Sequence, residues 1–148
     1  MKSPPLSVTS AVFEHNATIP RKHTCQGDNV NPPLTIGSIP AGTKSLALIV
    51  DDPDAAGQTF DHWILWNIPA TGTIAENSIP GTEGKNHFGI THYKGPCPPS
   101  GTHRYFFKVF ALDRMLDLKT GAGRKDLERN MQSHLLASGE IIGLYKKS

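Results

Sequence analysis

Ser45–Leu46–Ala47–Leu48–Ile49–Val50–Asp51–Asp52–Pro53–Asp54 is followed, after a short polar loop, by Asp61–His62–Trp63–Ile64–Leu65–Trp66–Asn67–Ile68–Pro69. These two stretches decide the fold. Leu46 to Val50 is a continuous apolar run of strand length, which predicts a strand buried on both faces. It ends in three carboxylates around a proline. Pro53 cannot donate a ladder hydrogen bond, and its fixed φ ends the strand. Ala55–Ala56–Gly57–Gln58 makes the turn, and a second apolar run begins at His62. Two buried strands joined this way hold Asp52, Asp54 and His62 at one edge of a core. Charge opening directly out of a buried strand is costly unless it is solvated or partnered, so function is sought here first.

Working outward, Leu6 to Phe13 alternates loosely and predicts an early strand. Thr24 to Leu34 is dense in turn residues and predicts an ordered loop. Leu34 to Ile39 predicts a short strand ending at Pro40. Thr71 to Lys85 reads as loop, and Asn86–Gly89 with Thr91–Lys94 as a weak edge segment. Gly95–Pro96–Cys97–Pro98–Pro99–Ser100–Gly101–Thr102 is the most constrained loop: three of its eight residues lack an N–H. It forms a rigid wall with few donors, unlike a phosphate cradle built from successive N–H groups.

His103 to Leu112 is rich in aromatics with period two and predicts the strongest strand. Alternation puts His103, Tyr105 and Phe107 on one face and Arg104, Phe106 and Lys108 on the other. Arg124 to Ser138 predicts a helix, with Leu127, Met131 and Leu135 as its apolar stripe and Gly139 as its stop. Glu140 to Tyr145 predicts a final strand. Many strands and turns with one late helix argue for a mainly β, two-sheet architecture.

Composition supports this. The 148 residues suit one domain, 1–148, with a core of its own. Hydrophobic residues at 37% and charged residues at 19% fit a globular chain. The 14 glycines and 12 prolines supply turns. The net charge is +2 with scattered basic residues, not the basic stripe of a nucleic-acid binder. No run is long enough to span a membrane. Met1–Lys2–Ser3–Pro4–Pro5 lacks the apolar core of a signal peptide, which predicts a cytoplasmic protein. There, Cys25 and Cys97 default to free thiols. No Cys-x-x-Cys or His-x-x-x-His spacing points to zinc, and no metal or cofactor is expected.

Asp51–Asp52–Pro53–Asp54 with His62–Trp63, and Gly95 through Tyr105, resemble the two signature motifs of the phosphatidylethanolamine-binding protein family. That family includes the Raf kinase inhibitor protein. Thr24–Asn29, Asn31–Leu34, Asn86–Gly89 and Ala111–Asp113 resemble its bacterial and archaeal branch. The resemblance covers nearly the whole chain. It implies a Greek-key β-sandwich, a large antiparallel sheet on a smaller one, with one or two short helices near the C-terminus. It also implies an anion pocket lined by Asp52, His62, Pro98, His103 and Tyr105, with Asp54 near the rim and Cys97 adjacent. A homodimer is implied as well. Both cysteines lie in loops that the family places toward the same end, which leaves thiols or a disulfide open. Ala56–Gly57 departs from the family's usual Pro and Ser, implying a looser loop. The chain stops soon after Tyr145, without the terminal helix of mammalian members, implying a more open pocket.

The chemistry fits a binding module better than an enzyme. No Gly-x-Ser-x-Gly elbow, nucleophile–base pair or metal triad is visible. The main reading is a regulatory protein that binds a small anion or phospholipid headgroup, such as phosphate or phosphoethanolamine. A second reading is a protein-interaction regulator that inhibits a kinase or peptidase. A third is a hydrolase or transferase using His62, His103 and Cys97. Asp52 repels an anion, so the pocket needs either a protonated His62 or His103, or an Asp52 that only orients a histidine.

Overall fold

The computed structural model describes residues 5–148. Met1 to Pro4, most of the stretch read above as lacking a signal-peptide core, lie outside the described residues. The order of elements is β1 (Ser7–Thr9), β2 (Ala17–Thr18), β3 (Leu34–Gly37), β4 (Ser45–Asp52), β5 (Phe60–Ile68), β6 (Thr73–Ile74), β7 (Thr82–Glu83), β8 (His103–Leu112), α1 (Arg124–Met131) and β9 (Leu135–Tyr145). The larger sheet has strand order β2-β9-β8-β4-β5-β7 and the smaller β1-β3-β6. The fold is mainly β in two sheets with one α-helix. Pairing is antiparallel except for β2, which runs parallel to β9.

Strand β4 is buried along its whole length, as its unbroken apolar run requires, and lies between β5 and β8. Its alternate residues serve two cores. Leu46, Leu48 and Val50 meet Phe107, Val109 and the smaller sheet's Val8, Leu34, Ile36 and Ile74. Ala47 and Ile49 face the other way, with Ile64, Trp66, Leu127 and Met131 under α1.

Three expectations are corrected. The helix stops at Met131, not Ser138. Leu127 and Met131 are buried, but Leu135 is 47% exposed and starts β9, opposite Leu112. Pairing with β8 along Leu135–Tyr145 satisfies more backbone than another helical turn would. The stretch Thr71–Lys85 holds two short strands, β6 and β7. Asn86–Lys94 contains no strand and is organised by Asn86. The Asn86 Oδ1 accepts from the N–H of Phe88 and Ile90, and its Nδ2 donates to the carbonyls of His62 and His92. Among the described residues no helix is long and apolar enough to cross a membrane.

Candidate functional site

A β-bulge aims the key histidine. In the β4–β5 ladder Val50 pairs with Trp63, but Asp51 pairs with Asp61, so His62 is the extra residue. Simple alternation would put His62 on the face of Ile64 and Trp66, under the helix. The bulge turns it onto the sandwich face instead, a recurrent use of bulges beside functional sites. The same bulge puts Asp61 on the helix face, opposite Asp51, where it meets Arg124.

On the sandwich face, Asp52 from β4, His62 from β5, and His103 and Tyr105 from β8 converge on a cavity of about 240 Å³. Cys97, Pro98, Pro99, Ala55, Ala56, Phe60 and Phe88 complete its wall. Of the residues expected from the sequence, the structure brings Asp52, His62, Cys97, Pro98, His103 and Tyr105 to this cavity. The sequence reading missed Phe60 and Phe88, whose rings lie 4.8 Å apart and pack edge-on against His62. The signal for Phe60 was its place two residues before His62 on a strand. Phe88 lies on a turn, and only its neighbour Asn86 marks it.

Asp52 is fully engaged. Its Oδ2 stands 2.6 Å from His103 Nδ1, and its Oδ1 accepts the Asp54 N–H at 2.8 Å. A carboxylate held this way fixes which imidazole nitrogen carries the proton, and His103 is left with Nε2 free. His62 Nδ1 lies 2.6 Å from the Lys94 carbonyl. A carbonyl only accepts, so this nitrogen is the donor. Burial pushes His62 below the usual imidazole range, against the opposing pull of the Lys94 carbonyl, Asp52 and Asp61. His62 is therefore neutral near pH 7. Burial, then the Asp52 charge, pushes the Tyr105 phenol well up, so it keeps its proton as a neutral donor.

Asp54 does not line the cavity. Its carboxylate takes the Arg104 backbone N–H at 2.9 Å and a two-pronged guanidinium contact at 3.0 and 2.8 Å. This grip holds Asp54 down at about 2, with the Arg104 hydrogen bonds the largest cause. Asp54 thus ties the end of β4 to the start of β8 and positions Asp52 and His103.

Cys97 is not a thiol: it is bonded to Cys25 across 72 residues. The default of two free thiols is overturned, and with it the one candidate nucleophile. The Cys25 N–H also donates to the Pro96 carbonyl. Nearby, Gly95 donates to Asn29 Oδ1 at 2.7 Å, and a Cβ there would meet the His23 carbonyl at 2.3 Å. The close approach requires glycine and seats the rigid loop against residues 23–29.

A larger cleft, about 650 Å³, opens on the other face beside α1. Its floor is an ion cluster. Arg124 bridges Asp51 and Asp61 at 2.8 Å each, and Lys108 reaches Asp51 at 2.9 Å. These charges pair with one another and leave only Asp51 Oδ1, sealed from the cleft, without a partner, so size alone does not make this the site; the smaller cavity is the one onto which groups with unspent hydrogen-bonding capacity open. Among the described residues no group of three or more His, Cys, Asp or Glu side chains could hold a metal ion.

The family model described as phosphatidylethanolamine-binding protein matches residues 9–146. A UPF0098 protein of Pyrococcus horikoshii is 48% identical, over 93% of this chain and 75% of its own length. Another, of Methanothermobacter thermautotrophicus, is 41% identical over 96% of this chain and 99% of its own. Among solved structures, a phosphatidylethanolamine-binding protein homologue from Chlamydia trachomatis superposes with a TM-score of 0.94. It is 35% identical and covers 99% of this chain and 100% of its own. E. coli YbcL, described as a new member of the mammalian family, gives 0.89 at 30% identity, covering 98% and 100%. The chain belongs to the phosphatidylethanolamine-binding protein family.

Proposed function

We propose that this protein binds a small anion, a phosphate or phospholipid headgroup such as phosphoethanolamine, and that it does so in a regulatory role. One observation carries this. His62 and His103 each spend Nδ1 on a protein partner and keep Nε2 without one, at a cavity that also holds the proton-bearing Tyr105 phenol. Such convergence of polar atoms in an otherwise apolar recess is the mark of a small-ligand site. At about 240 Å³ the cavity is smaller than the ~300–1,000 Å³ of drug-sized pockets, which favours a headgroup over a whole lipid. Asp52 acts by orienting His103 and does not meet the anion. With Cys97 in a disulfide, the hydrolase or transferase reading loses its thiol, which favours the binding reading. The single-domain organisation, a cytoplasmic location and a homodimer belong to the same proposal.

The test is a ¹H–¹⁵N NMR titration with phosphate and O-phosphorylethanolamine, with His62→Ala as control. Saturable shifts confined to His62, His103, Tyr105 and their neighbours, absent in the variant, are expected. No shift at millimolar ligand would remove the proposal. A protein partner that phosphoethanolamine releases would point to kinase or peptidase regulation instead.

A further inference from the structure

We infer that the pocket takes its anion with a proton still on it: a phosphate monoester or similar oxyanion in its singly protonated form, whose P–O–H donates to His62 Nε2. This rests on the anion-binding reading and adds which form of the anion is bound.

The argument starts from the Lys94 carbonyl. It stands 2.6 Å from His62 Nδ1 and places the proton there. A neutral imidazole with its proton on Nδ1 offers only a lone pair at Nε2. That nitrogen has no protein partner, yet it is not sealed. Among the described residues the one sealed side-chain polar atom without a partner is Asp51 Oδ1, on the other face of the sheet. His62 Nε2 therefore opens on the cavity as an acceptor awaiting a donor.

The charged and titratable groups around His62 leave that role to the ligand. From β4 comes Asp52, committed to His103 and the Asp54 N–H. From β5 itself comes Asp61, held by Arg124. From β8 come His103 and Tyr105. From the loop after β7, His87 packs against Phe60, and Lys94 sits with its Nζ 5.7 Å from the Phe88 ring centre. None of these donates to Nε2. A dianion would set a bare oxygen against the Nε2 lone pair with Asp52 close by. A monoanion turns that contact into a hydrogen bond and still offers oxygens to the Tyr105 hydroxyl.

Binding should then follow the ligand's own ionisation. A phosphate monoester loses its last proton near pH 6. Above that pH the bound form thins out about tenfold per pH unit, and apparent affinity falls with it. The test is a calorimetric titration from pH 5 to 8 with methyl phosphate, methylphosphonate, whose second ionisation comes at higher pH, and methyl sulfate, an anion with no proton to give. The inference expects the affinity midpoint to move upward from methyl phosphate to methylphosphonate. It also expects methyl sulfate to bind at least tenfold more weakly at pH 5. In folded His62→Gln, whose amide can donate to a bare oxygen, the pH dependence should flatten. A midpoint that is the same for both phosphorus ligands would place the titrating proton on the protein and overturn the inference while leaving the anion site intact. Equal binding of methyl sulfate at pH 5 would overturn it too. Failure of all three ligands to bind at any pH would remove the anion site itself, and the inference with it.

Discussion

Asp51 and Asp52 are consecutive in β4, yet their carboxylates serve opposite faces of the larger sheet. Asp51 meets Lys108 and Arg124, while Asp52 meets His103. Strand alternation imposes this, and it separates a residue that holds the fold from one that shapes the pocket. Asp52→Asn should leave the protein folded but change His103. An amide facing Nδ1 donates where the carboxylate accepted, so the imidazole proton moves to Nε2. Nitrogen chemical shifts of His103 report the tautomer directly. Anion affinity should rise about tenfold, because His103 Nε2 then turns an N–H toward the cavity, about the worth of a hydrogen bond to a charged group, and a carboxylate charge beside the anion is gone. An unchanged tautomer would mean that Asp52 does not set it.

Asp51→Asn should do the reverse. It leaves Arg124 and Lys108 beside a neutral amide at a position with no exposure. Breaking one side of a fully buried ion pair costs about 3–5 kcal/mol. Arg124 and Lys108 are 24% and 27% exposed, so the loss here should be about 2 kcal/mol, read as a lower urea midpoint at pH 7. Affinity for phosphate should stay within about twofold. A change in binding equal to that of Asp52→Asn would show that the two faces are coupled.

The Cys25–Cys97 bond closes a loop of 72 residues and seats the Pro-rich wall of the pocket. In the chain-entropy account a loop of that size restricts the unfolded chain by about 4 kcal/mol. Cys25→Ser should therefore lower stability by about 2–4 kcal/mol, measured by denaturant unfolding without reductant. The native protein, unfolded in the absence of reductant, should show no free thiol by a colorimetric thiol assay. One or two reactive thiols would contradict the bond.

Much of this was legible in the sequence because strong local signals agreed with the tertiary structure. The unbroken run Leu46–Val50 could only be a central strand, and the alternation from His103 put His103 and Tyr105 on one face. Asp54 and Arg104 were seen but not paired, because nothing in either segment reveals that the two strand ends meet. The facing of His62 was not legible: only the register of Asp51 against Asp61 shows the bulge that turns it inward. The helix overran because Leu135 continued the apolar spacing of Leu127 and Met131. The competing pairing with Leu112 lies 23 residues away. Gly139, expected as a helix stop, is a strand glycine pressed against Leu6, where a Cβ would meet the carbonyl at 2.2 Å.

Acid should destabilise the protein in two windows. His62 is held below its ordinary value by burial, so the unfolded chain takes up its proton first as pH falls. Its contribution is whole above about pH 6.5, the unfolded imidazole value, and is lost as pH drops from there toward the folded value, at no more than about 1.4 kcal/mol per pH unit. Asp54, lowered from 3.8 to about 2 by Arg104, adds a second loss as pH falls between those values. Its exposed partner limits that loss to about 1 kcal/mol. Urea midpoints measured from pH 7.5 to 3 should therefore decline from about pH 6.5, and decline further below pH 4. His62→Phe should flatten the upper window and leave the lower one. Asp54→Asn should do the opposite. Methyl phosphate at millimolar concentration should raise the midpoint more just below pH 6, where the monoester keeps its last proton, than at pH 7.5. A wild-type curve that stays flat from pH 6.5 to 5 would mean that His62 is not buried neutral, and would remove the basis for a ligand that brings its own proton.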